Sequence, residues 1–409
     1  MPDPSAVRIG LLGRGTVGDA FSRLLAERAD AVAAATGRRP EIAGVLRRSE
    51  GDFDEILAGS DLVVELIGGT EPAREYVLAA LRAGKPVVSA NKQLIAQHGD
   101  ELFDAAREAG VQLRFEAAIA GAVPVVRMVQ ESLGAIQLER ISGIVNGTTN
   151  FILSEMASTG ASYADVLARA QELGYAEADP TDDVNGADAA AKMAILARLA
   201  FHTPVSLDDV SYEGITEIRP DDIAYARDLG LSLKLLGIAE RHGGAISVRV
   251  FPCFLYRGHP LAPVEGPFNA ITVEAPTITE ITISGPGAGG PETASAVLAD
   301  VVSILAGEAP LHVAGERLDV LADLDSSFYL HLEVADRPRV LAAIADVLGR
   351  NEISVKSVVQ RGSATDARLV MVTHRAPESS FYEALAEISD LEFLRAPPRA
   401  IRVVEEEYK

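Results

Sequence analysis

The sequence predicts an α/β protein in three parts, and three observations indicate this. In the first third of the chain, short apolar strands alternate with helical stretches, as in a parallel sheet built from βαβ units. The middle combines an Ala-rich helix with Val- and Pro-rich strands, which indicates a mixed α+β domain. The last part has the order βαββαβ, the ferredoxin-like arrangement. The length of 409 residues agrees with this division, since a domain takes roughly 150 residues.

The composition excludes several classes of protein. The formal net charge of −22 argues against a binder of nucleic acid or anionic membranes, because both need a positive surface. The one cysteine, Cys253, excludes an intramolecular disulfide framework and a Cys-rich zinc site. The sequence has no run of about 18 apolar residues, so we expect no membrane span. Met1–Ser5 lack the basic region of a signal peptide. We therefore expect a cytoplasmic protein with no nucleic-acid or membrane partner.

The first part alternates strands and helices in a regular order. The predicted strands are Val7–Leu12, Glu41–Leu46, Leu62–Ile67, Val87–Ser89 and Val111–Phe115, and the predicted helices are Val17–Arg28 and Glu71–Ala83. Helices of this length between consecutive strands are typical of a parallel sheet.

A glycine motif follows the first strand. Gly13, Gly15 and Gly18 form GxGxxG, with Thr16 and Val17 between the last two glycines. Such glycines serve a tight turn, close approach of the backbone to a pyrophosphate, and packing of helix on strand. The start of the following helix offers free N–H groups and a positive dipole end. We expect a Rossmann dinucleotide site here, while a purely structural glycine turn stays the alternative.

The residues after the second strand bear on the cofactor. NAD enzymes usually place an acid there to bind the ribose 2′-hydroxyl. This chain has Arg47 and Arg48 instead, with no acid until Glu50. Two arginines suit a 2′-phosphate, so NADP is favoured and NAD remains possible. A solvated basic turn is the structural alternative.

The middle and last parts are predicted as follows. The middle has a strand and polar turn over 140–150, a helix from Gly186 to about Phe201, strands at Val248–Phe251, Ala270–Val273 and Glu280–Ile283, a Gly/Pro loop over 284–291, and a helix at Thr293–Leu305. The last part has strands at Phe328–Val334, Ile353–Gln360, Leu369–Thr373 and Ile401–Glu405, and helices at Arg339–Leu348 and Phe381–Ile388.

Two lysines are candidates for chemistry. Lys92 follows a strand end, where open α/β sheets place their ligands. Lys192 lies four residues after Asp188 on the Ala-rich helix, so their side chains share one face. An exposed ion pair of little energetic value is the structural alternative, but the apolar neighbours favour a cleft. The upstream acids, including Glu177 and Asp183, could cap the helix or bind an ammonium-bearing substrate.

These segments together resemble the homoserine dehydrogenase family. The resemblance lies in Gly174–Asp188 followed by Ala189–Lys192, in Ser89–Lys92, and in Gly285–Gly289, and it covers residues 5–320. The C-terminal unit resembles an ACT domain. The resemblance implies an NAD(P)-binding domain over 1–135 completed by about 290–320, a substrate-binding and dimerisation domain over 136–289, and an ACT-like domain over 326–409.

The resemblance also implies the reaction and the residues that perform it. L-aspartate 4-semialdehyde and L-homoserine would be interconverted by hydride transfer with NAD(P)H, on the branch to threonine, methionine and isoleucine. The implied roles are Lys192 as proton donor, Lys92 close to nicotinamide and substrate, Glu177, Asp188 and Asp183 at the substrate, and Ser89, Gly174 and Gly289 at the cofactor. A neighbouring ammonium can lower the pKa of a lysine that acts as general acid toward the working range, and two lysines in one cleft, partly neutralised by Asp188, supply such an arrangement. A homodimer or homotetramer is implied.

Two further sites follow from the resemblance. Main-chain oxygens of Glu116, Ile119, Gly121 and Val123 would hold a monovalent cation such as Na⁺, with an ordinary strand-to-helix turn as the alternative. In the ACT domain, Asp336, Asn351 and Ile353 match positions that bind an amino-acid effector such as threonine. Arg339, however, stands where such domains usually carry glycine. Assembly is therefore the alternative role of this domain.

Two other functions compete with this one. An aspartate-semialdehyde dehydrogenase would need a cysteine nucleophile, and Cys253 lies in an apolar run typical of a buried residue. A nucleotide-sensing regulatory protein would not need Lys92, Asp188 and Lys192 together. The histidines are scattered singly, without the spacing of a metal site.

Overall fold

A computed structural model describes residues 5–311, 315–363 and 366–404. The N-terminal residues used above to argue against a signal peptide lie outside this range, apart from Ser5, and so does Glu405, the last residue of the final predicted strand. The strands are β1 (Ser5–Leu12), β2 (Arg38–Leu46), β3 (Leu62–Glu65), β4 (Val87–Ser89), β5 (Leu113–Arg114), β6 (Arg140–Ile144), β7 (Ser211–Tyr212), β8 (Leu231–His242), β9 (Ala245–Tyr256), β10 (Phe268–Ala275), β11 (Thr279–Pro286), β12 (Asp319–Val320), β13 (Asp325–Ala335), β14 (Val355–Ser363), β15 (Asp366–Thr373), β16 (Ala376–Pro377) and β17 (Arg399–Val404).

The helices lie between these strands. They are α1 (Thr16–Thr36), α2 (Phe53–Gly59), α3 (Ala73–Arg82), α4 (Lys92–Ala109), α5 (Val125–Arg127), α6 (Gly147–Thr159), α7 (Tyr163–Glu172), α8 (Thr181–Val184), α9 (Ala187–Phe201), α10 (Pro220–Asp228), α11 (Gly290–Ala306), α12 (Val340–Arg350) and α13 (Glu378–Ser389). Within the described residues, no helix is both long and apolar enough to cross a bilayer.

The N-terminal sheet is parallel, as predicted. Its five strands lie in the order β2-β1-β3-β4-β5, and every pair runs parallel. Helix α11 comes from much later in the chain and packs against α1. Phe21 and Leu25 of α1 share a buried cluster with Val297 and Val301 of α11. A helix from late in the chain therefore completes the core of the N-terminal domain beside α1.

A second, longer sheet joins the middle of the chain to its end. The strand order is β11-β10-β6-β8-β9-β17-β13-β15-β14. The predicted βαββαβ order is confirmed as β13-α12-β14-β15-α13-β17, and this unit has its own core around Leu330, Ile344 and Phe381. Its last strand, β17, also pairs in parallel with β9. The C-terminal unit thus continues the sheet of the middle part.

Three local predictions for the middle part were wrong or incomplete. The polar turn after β6 is the start of a helix, α6, because the Asn146 side chain accepts a hydrogen bond from the Thr149 N–H and caps it. Strand β8 was not predicted. The Gly/Pro loop over 284–291 is shorter than expected, since β11 runs to Pro286 and α11 begins at Gly290. Gly-Thr-Thr-Asn is a poor helix sequence, so the cap and the tertiary packing decide α6.

Helix α9 carries the two charged residues of the signature. It begins after Gly186, whose φ of +90° suits glycine, and it ends at Phe201 as predicted. A Cβ on Gly237 of β8 would collide with the side chain of Met193. The helix therefore lies directly against the long sheet, and Asp188 and Lys192 occupy its first two turns.

Candidate active site

Lys92, Asp188 and Lys192 form one cluster. The Lys192 Nζ donates to Asp188 Oδ2 at 2.8 Å, and the Lys92 Nζ forms an ion pair with Asp188 Oδ1. Lys92 is the first residue of α4, which Asn91 caps by accepting a hydrogen bond from the Leu94 N–H at 3.1 Å. Asp188 is 4% exposed. Residues that are 96 positions apart in the chain therefore share a single buried carboxylate.

The charges in this cluster set the protonation of its members. Burial alone would raise the pKa of Asp188, but the ammonium groups of Lys192 and Lys92 outweigh it and hold that pKa well below its usual range. Burial alone would lower the pKa of Lys92, but the Asp188 carboxylate raises it overall. The expectation of a lowered lysine pKa is therefore wrong for Lys92. The reason is that Asp188 lies between the two ammonium groups and offsets their repulsion.

Asn146 joins a second carboxylate to the cluster. Its Nδ2 donates to Asp183 Oδ1 at 2.7 Å and to Asp188 Oδ2 at 2.8 Å. Its Oδ1 accepts from the Thr149 N–H and hydroxyl, which fixes which way the amide faces. Burial and the nearby Asp188 charge raise the pKa of Asp183, and the Asn146 amide opposes this. Sequence reasoning missed Asn146, although an asparagine directly before a helix is a recognisable cap signal.

The carbonyl oxygen of Val145 is the second hydrogen-bond acceptor of Lys192. It accepts from the Lys192 Nζ at 2.8 Å and from Asn269 Nδ2 at 3.3 Å. Asn269 is fully buried, and a Cβ on Gly287 would collide with its amide. The predicted Gly285–Gly289 loop therefore packs against the residue that shares the acceptor of Lys192. Nothing in the sequence around Asn269 marked it.

Ser89 lies at the carboxyl end of β4, and its hydroxyl donates to Glu65 Oε2 at 2.6 Å. Glu65 ends β3 and is fully buried, and its burial raises the pKa of its carboxyl group. The Asn91 N–H donates to the Ser89 oxygen at 3.1 Å. Ser89 thus links the two strand ends beside the glycine turn to the loop that carries Lys92. Sequence reasoning missed Glu65, which has no local motif.

The glycine motif has the geometry of a phosphate-binding turn. Gly13 has φ of +97°, and a Cβ there would stand 2.6 Å from the Leu66 carbonyl oxygen. A Cβ on Gly18 would collide with the carbonyl of Gly13, whereas one on Gly15 would meet nothing within 4 Å. Gly15 also provides α1 with no side-chain cap. The first turn, with Thr16 and Val17, therefore leaves its N–H groups for a ligand.

The other predicted cofactor residues differ in how directly they adjoin this turn. A Cβ on Gly290, next to Gly289, would stand 3.1 Å from the Thr16 side chain, so the start of α11 adjoins the start of α1. Arg47 follows β2 directly, and its Nη1 donates to Glu50 Oε2 at 3.2 Å on the surface. Gly174 is exposed, with φ of +78° in the turn after α7.

Glu177 is exposed in the segment between α7 and α8. Its backbone carbonyl accepts from Gln171 Nε2 at 3.0 Å. The structure thus brings Asp183 and Asp188 to the lysine cluster and leaves the Glu177 side chain at the surface. Its role toward a substrate stays a prediction.

The predicted cation segment is a buried turn around Glu116. The Glu116 carboxylate accepts from the Val126 and Arg127 N–H groups at 2.8 and 3.0 Å. The backbone carbonyl of Glu116 accepts a hydrogen bond from the Ile119 N–H at 3.4 Å, and the backbone carbonyl of Val123 accepts one from the Val125 N–H at 2.9 Å. Burial and the neighbouring Asp300 raise the pKa of Glu116 to about 7.

Gly121 lies on the other side of this turn. A Cβ there would stand 2.6 Å from the Gly287 carbonyl, which is in the loop that packs against Asn269. Each carbonyl oxygen of the turn has two lone pairs. The carbonyls of Glu116 and Val123 therefore keep acceptor capacity after their hydrogen bonds. The donor set is compatible with a monovalent cation.

The effector residues of the C-terminal unit are used within the fold. Asn351 Nδ2 donates to the Val347 carbonyl at 3.0 Å and to Glu387 Oε1 at 3.1 Å. Ile353 is 3% exposed. Asp336 Oδ1 accepts from Gln360 Nε2 at 3.3 Å beside an open groove, and Arg339 has φ of +77° at the start of α12.

Cys253 is buried in β9 and fully inaccessible. Burial raises the pKa of its thiol to about 12, so it is not a thiolate at neutral pH. The acyl chemistry of a semialdehyde dehydrogenase has no nucleophile in this position.

Comparisons with known proteins agree on one family. Models described as homoserine dehydrogenase, its NAD binding domain and the ACT domain match residues 124–302, 13–116 and 329–393. The chain is 46% identical to the homoserine dehydrogenase of Corynebacterium glutamicum, covering 96% of this chain and 93% of that one. It is 42% identical to that of Mycobacterium tuberculosis, covering 98% of each.

Solved structures show the same similarity. A homoserine dehydrogenase from Thiobacillus denitrificans superposes with a TM-score of 0.93 at 36% identity, covering 98% of this chain and 99% of that one. A hyperthermophilic archaeal homoserine dehydrogenase in complex with NADPH has a TM-score of 0.65 at 27% identity, covering 75% of this chain and 99% of that one.

Proposed function

The chain belongs to the homoserine dehydrogenase family, and from this premise we propose that Lys192 transfers the proton of its reaction while Asp188 holds both lysines in place. The chain is an NAD(P)-dependent oxidoreductase that interconverts L-homoserine and L-aspartate 4-semialdehyde. This reaction belongs to the branch that leads to threonine, methionine and isoleucine. The family predicted from the sequence is thereby confirmed.

One observation carries the proposal for Lys192. An ammonium group has three N–H donors. Those of Lys192 donate to Asp188 Oδ2 and to the Val145 carbonyl, which leaves the third for a substrate oxygen. In the direction of reduction, this N–H donates its proton to the oxygen that becomes the hydroxyl of homoserine. In the direction of oxidation, the neutral amine accepts the same proton.

The remaining residues then orient the substrate. Each oxygen of Asp188 already contacts a lysine. We therefore assign Asp188 two roles, to position Lys92 and Lys192 and to contribute to the substrate site. Asp183 offers its second oxygen, and Glu177 its exposed carboxylate, to the ammonium of the amino-acid substrate. Lys92, with a side chain 39% exposed, would contact nicotinamide and substrate from the open side of the cluster.

The glycine turn would hold the dinucleotide, which supplies or accepts the hydride when bound. The turn from Gly13 to Gly18 would bind its phosphates, with Gly289 and Gly174 at its margins and Ser89 near the nicotinamide end. We propose NADP as the preferred form, since Arg47 directly follows β2, where an arginine would meet a ribose 2′-phosphate. Comparing kcat/KM for the two cofactors tests this: Arg47→Ala should weaken NADP use and leave NAD use unchanged.

A monovalent cation is proposed at the carbonyls of Glu116, Ile119, Gly121 and Val123. Its role would be to fix the turn that meets the Gly285–Gly289 loop. Thermal unfolding in sodium, potassium and tetramethylammonium chloride tests the site. A higher melting temperature with one small cation at equal ionic strength supports it, and identical curves reject it.

Three properties of the whole protein are proposed from the family resemblance. They are assembly as a homodimer or homotetramer, a cytoplasmic location, and a response to threonine through the ACT domain. Light scattering during gel filtration measures the assembly. Titration of the activity with threonine tests the effector, and unchanged turnover at millimolar threonine would reject it.

The decisive experiment for the function is turnover by the purified full chain. L-homoserine should be oxidised with NADP or NAD, and L-aspartate 4-semialdehyde should be reduced with the corresponding dihydronucleotide. Absence of turnover with both cofactors, in a folded sample, would overturn the assignment of the active site.

A further inference from the structure

A second cavity lies far along the long sheet, where the C-terminal unit joins the middle part. Its volume is about 70 Å³. Arg140, Glu240 and Arg249 line it from β6, β8 and β9, and Arg402 lines it from β17. These four residues belong to strands that are neighbours in the sheet. The cavity therefore has walls from both units, and it is separate from the lysine cluster and from the groove beside Arg339.

Arg140 is half-buried and lacks an adequate partner. Its side chain is 19% exposed, and the carboxylate paired with it, Glu274, is 3.8 Å from Nη1, beyond hydrogen-bond distance. Among the described residues, its Nε has no hydrogen-bond partner, and neither does the Nε of Arg249. Leaving such donors buried and unpaired costs about 1–3 kcal/mol each, so native proteins rarely do it. The cavity therefore offers two N–H donors that make no hydrogen bond to any residue the structure describes.

The buried carboxylate of Glu378, which pairs with Arg249 and Arg402, is already in use. Glu378 accepts from Arg249 Nη1 at 2.7 Å and from Arg402 Nε and Nη2 at 2.9 and 2.7 Å. It also accepts from the Ser326 hydroxyl at 2.6 Å. Both of its oxygens therefore already accept hydrogen bonds from Arg249, Arg402 or Ser326, and none of these bonds comes from Arg140. Arg140 and the remaining edge of Arg249 still face the cavity without it.

We propose that this cavity binds a small oxyanion, either the carboxylate group of a small molecule or inorganic phosphate. Four guanidinium groups line it, including Arg375, against the carboxylates of Glu240 and Asp325. Planar guanidinium groups match the oxygens of carboxylate and phosphate in paired hydrogen bonds. A volume of 70 Å³ has room for only a few non-hydrogen atoms. The oxyanion accepts from Arg140 and from the Nε of Arg249.

The position of this site links two parts of the enzyme. Its ligand contacts β9 of the middle part and β17 of the ACT domain, so it stabilises the junction between them. Ile238 also lines the cavity, and the adjacent Gly237 contacts Met193 of α9 on the opposite face of the sheet. The bound oxyanion thus lies one sheet layer from the helix that carries Lys192.

The test is calorimetric titration of the full chain, saturated with NADP so that phosphates cannot occupy the glycine turn. The probes are sodium phosphate, sodium acetate and glycine, with sodium chloride at equal ionic strength as the baseline. Arg140→Gln should weaken binding of the preferred probe by roughly tenfold or more. Arg140→Lys keeps the charge and should weaken it less. Arg257→Gln makes the same charge change at an exposed turn and should bind like the wild type.

Each outcome decides the proposal. Phosphate binding without acetate or glycine binding identifies a phosphate site, and the reverse identifies a carboxylate site. The proposal is overturned if Arg140→Gln and Arg257→Gln bind the probe equally strongly. It is also overturned if the wild-type protein binds no probe above the chloride baseline. Turnover of L-homoserine by Arg140→Gln shows that the variant is folded. Failure of this site would leave the assignment of Lys192 unaffected.

Discussion

The lysine cluster and the groove of the ACT domain both gather residues that the sequence predicted to bind an amino acid, but the fold uses them differently. In the cluster, Asp188 and Asn146 hold the charged groups and leave one N–H of Lys192 available. In the groove, Asn351 binds Glu387 and Ile353 belongs to the core. A matching residue type therefore indicates a binding site only where the fold leaves at least one donor or acceptor of the group available.

The energetic character of the two regions differs as well. The cluster is a buried set of charges in which each group depends on its neighbours, so removal of one leaves others uncompensated. The groove has one strained residue, Arg339, in the left-handed region that favours glycine. We expect substitutions in the cluster to lower activity or stability, and we expect replacement of Arg339 by glycine in the groove to raise stability.

The largest effect is expected at Lys192. Lys192→Ala should lower kcat by about 10²–10⁴-fold, because the proton donor is lost. Lys192→Arg keeps the positive charge but does not release a proton near neutral pH, and it should lower kcat by a similar factor. Steady-state kinetics with L-homoserine measures both. A raised KM with kcat near the wild-type value would instead assign Lys192 to substrate binding.

Asp188→Asn should destabilise the fold by about 3–5 kcal/mol, since it leaves the mostly buried ammonium group of Lys192 and the partly exposed one of Lys92 without their carboxylate. The folded pKa of Asp188 lies below its unfolded value of about 3.9. Its ion pairs therefore stabilise the protein above about pH 4, and this contribution is lost as the pH falls through the lower, folded pKa.

Urea unfolding of wild type and Asp188→Asn at neutral and at acid pH measures this effect. The difference in unfolding free energy should shrink toward acid pH. Asp182→Asn is the control, because it removes a carboxylate that lies exposed on the neighbouring helix α8. A pH-independent difference would contradict the ion-pair explanation.

Asn146→Ser should reduce kcat/KM by about tenfold, because serine can still cap α6 but does not bridge two carboxylates. Loss of the amide should raise the pKa of Asp183 further, so the acid limb of the pH–rate profile should move to higher pH. Asn146→Ala also removes the cap and should cost about 1 kcal/mol more in stability. An acid limb at the wild-type position would show that Asn146 only caps the helix.

The smallest effect is expected in the groove. Arg339→Gly should stabilise the protein by about 0.5–1 kcal/mol, since it relieves the left-handed backbone at φ of +77°. Arg337→Gly, two residues earlier and without a positive φ, should destabilise it slightly. Melting temperatures of the two variants distinguish these signs. Arg339→Gly should also increase any inhibition by threonine, because glycine allows a ligand closer to the backbone.

Much of this protein is determined locally in the sequence. The alternation of strands and helices, the GxGxxG turn and the βαββαβ order depend on periodicity and glycine chemistry, which neighbouring residues decide. The pairing of Asp188 with Lys192 follows from their spacing on one helix. These features could be predicted because their causes lie within a few residues of each other.

Tertiary structure alone decided the features that join distant segments. Lys92 meets Asp188 and Asn269 shares the acceptor of Lys192 because helix α9 packs beside the start of α4 and the long sheet. Ser89 donates to Glu65 because β3 and β4 end side by side. The pairing of β17 with β9, which creates the arginine cavity, likewise depends on two strands that lie far apart in the chain. Local pattern carries no information about such partners, because their free energy comes from burial and charge pairing that exist only after the chain has folded.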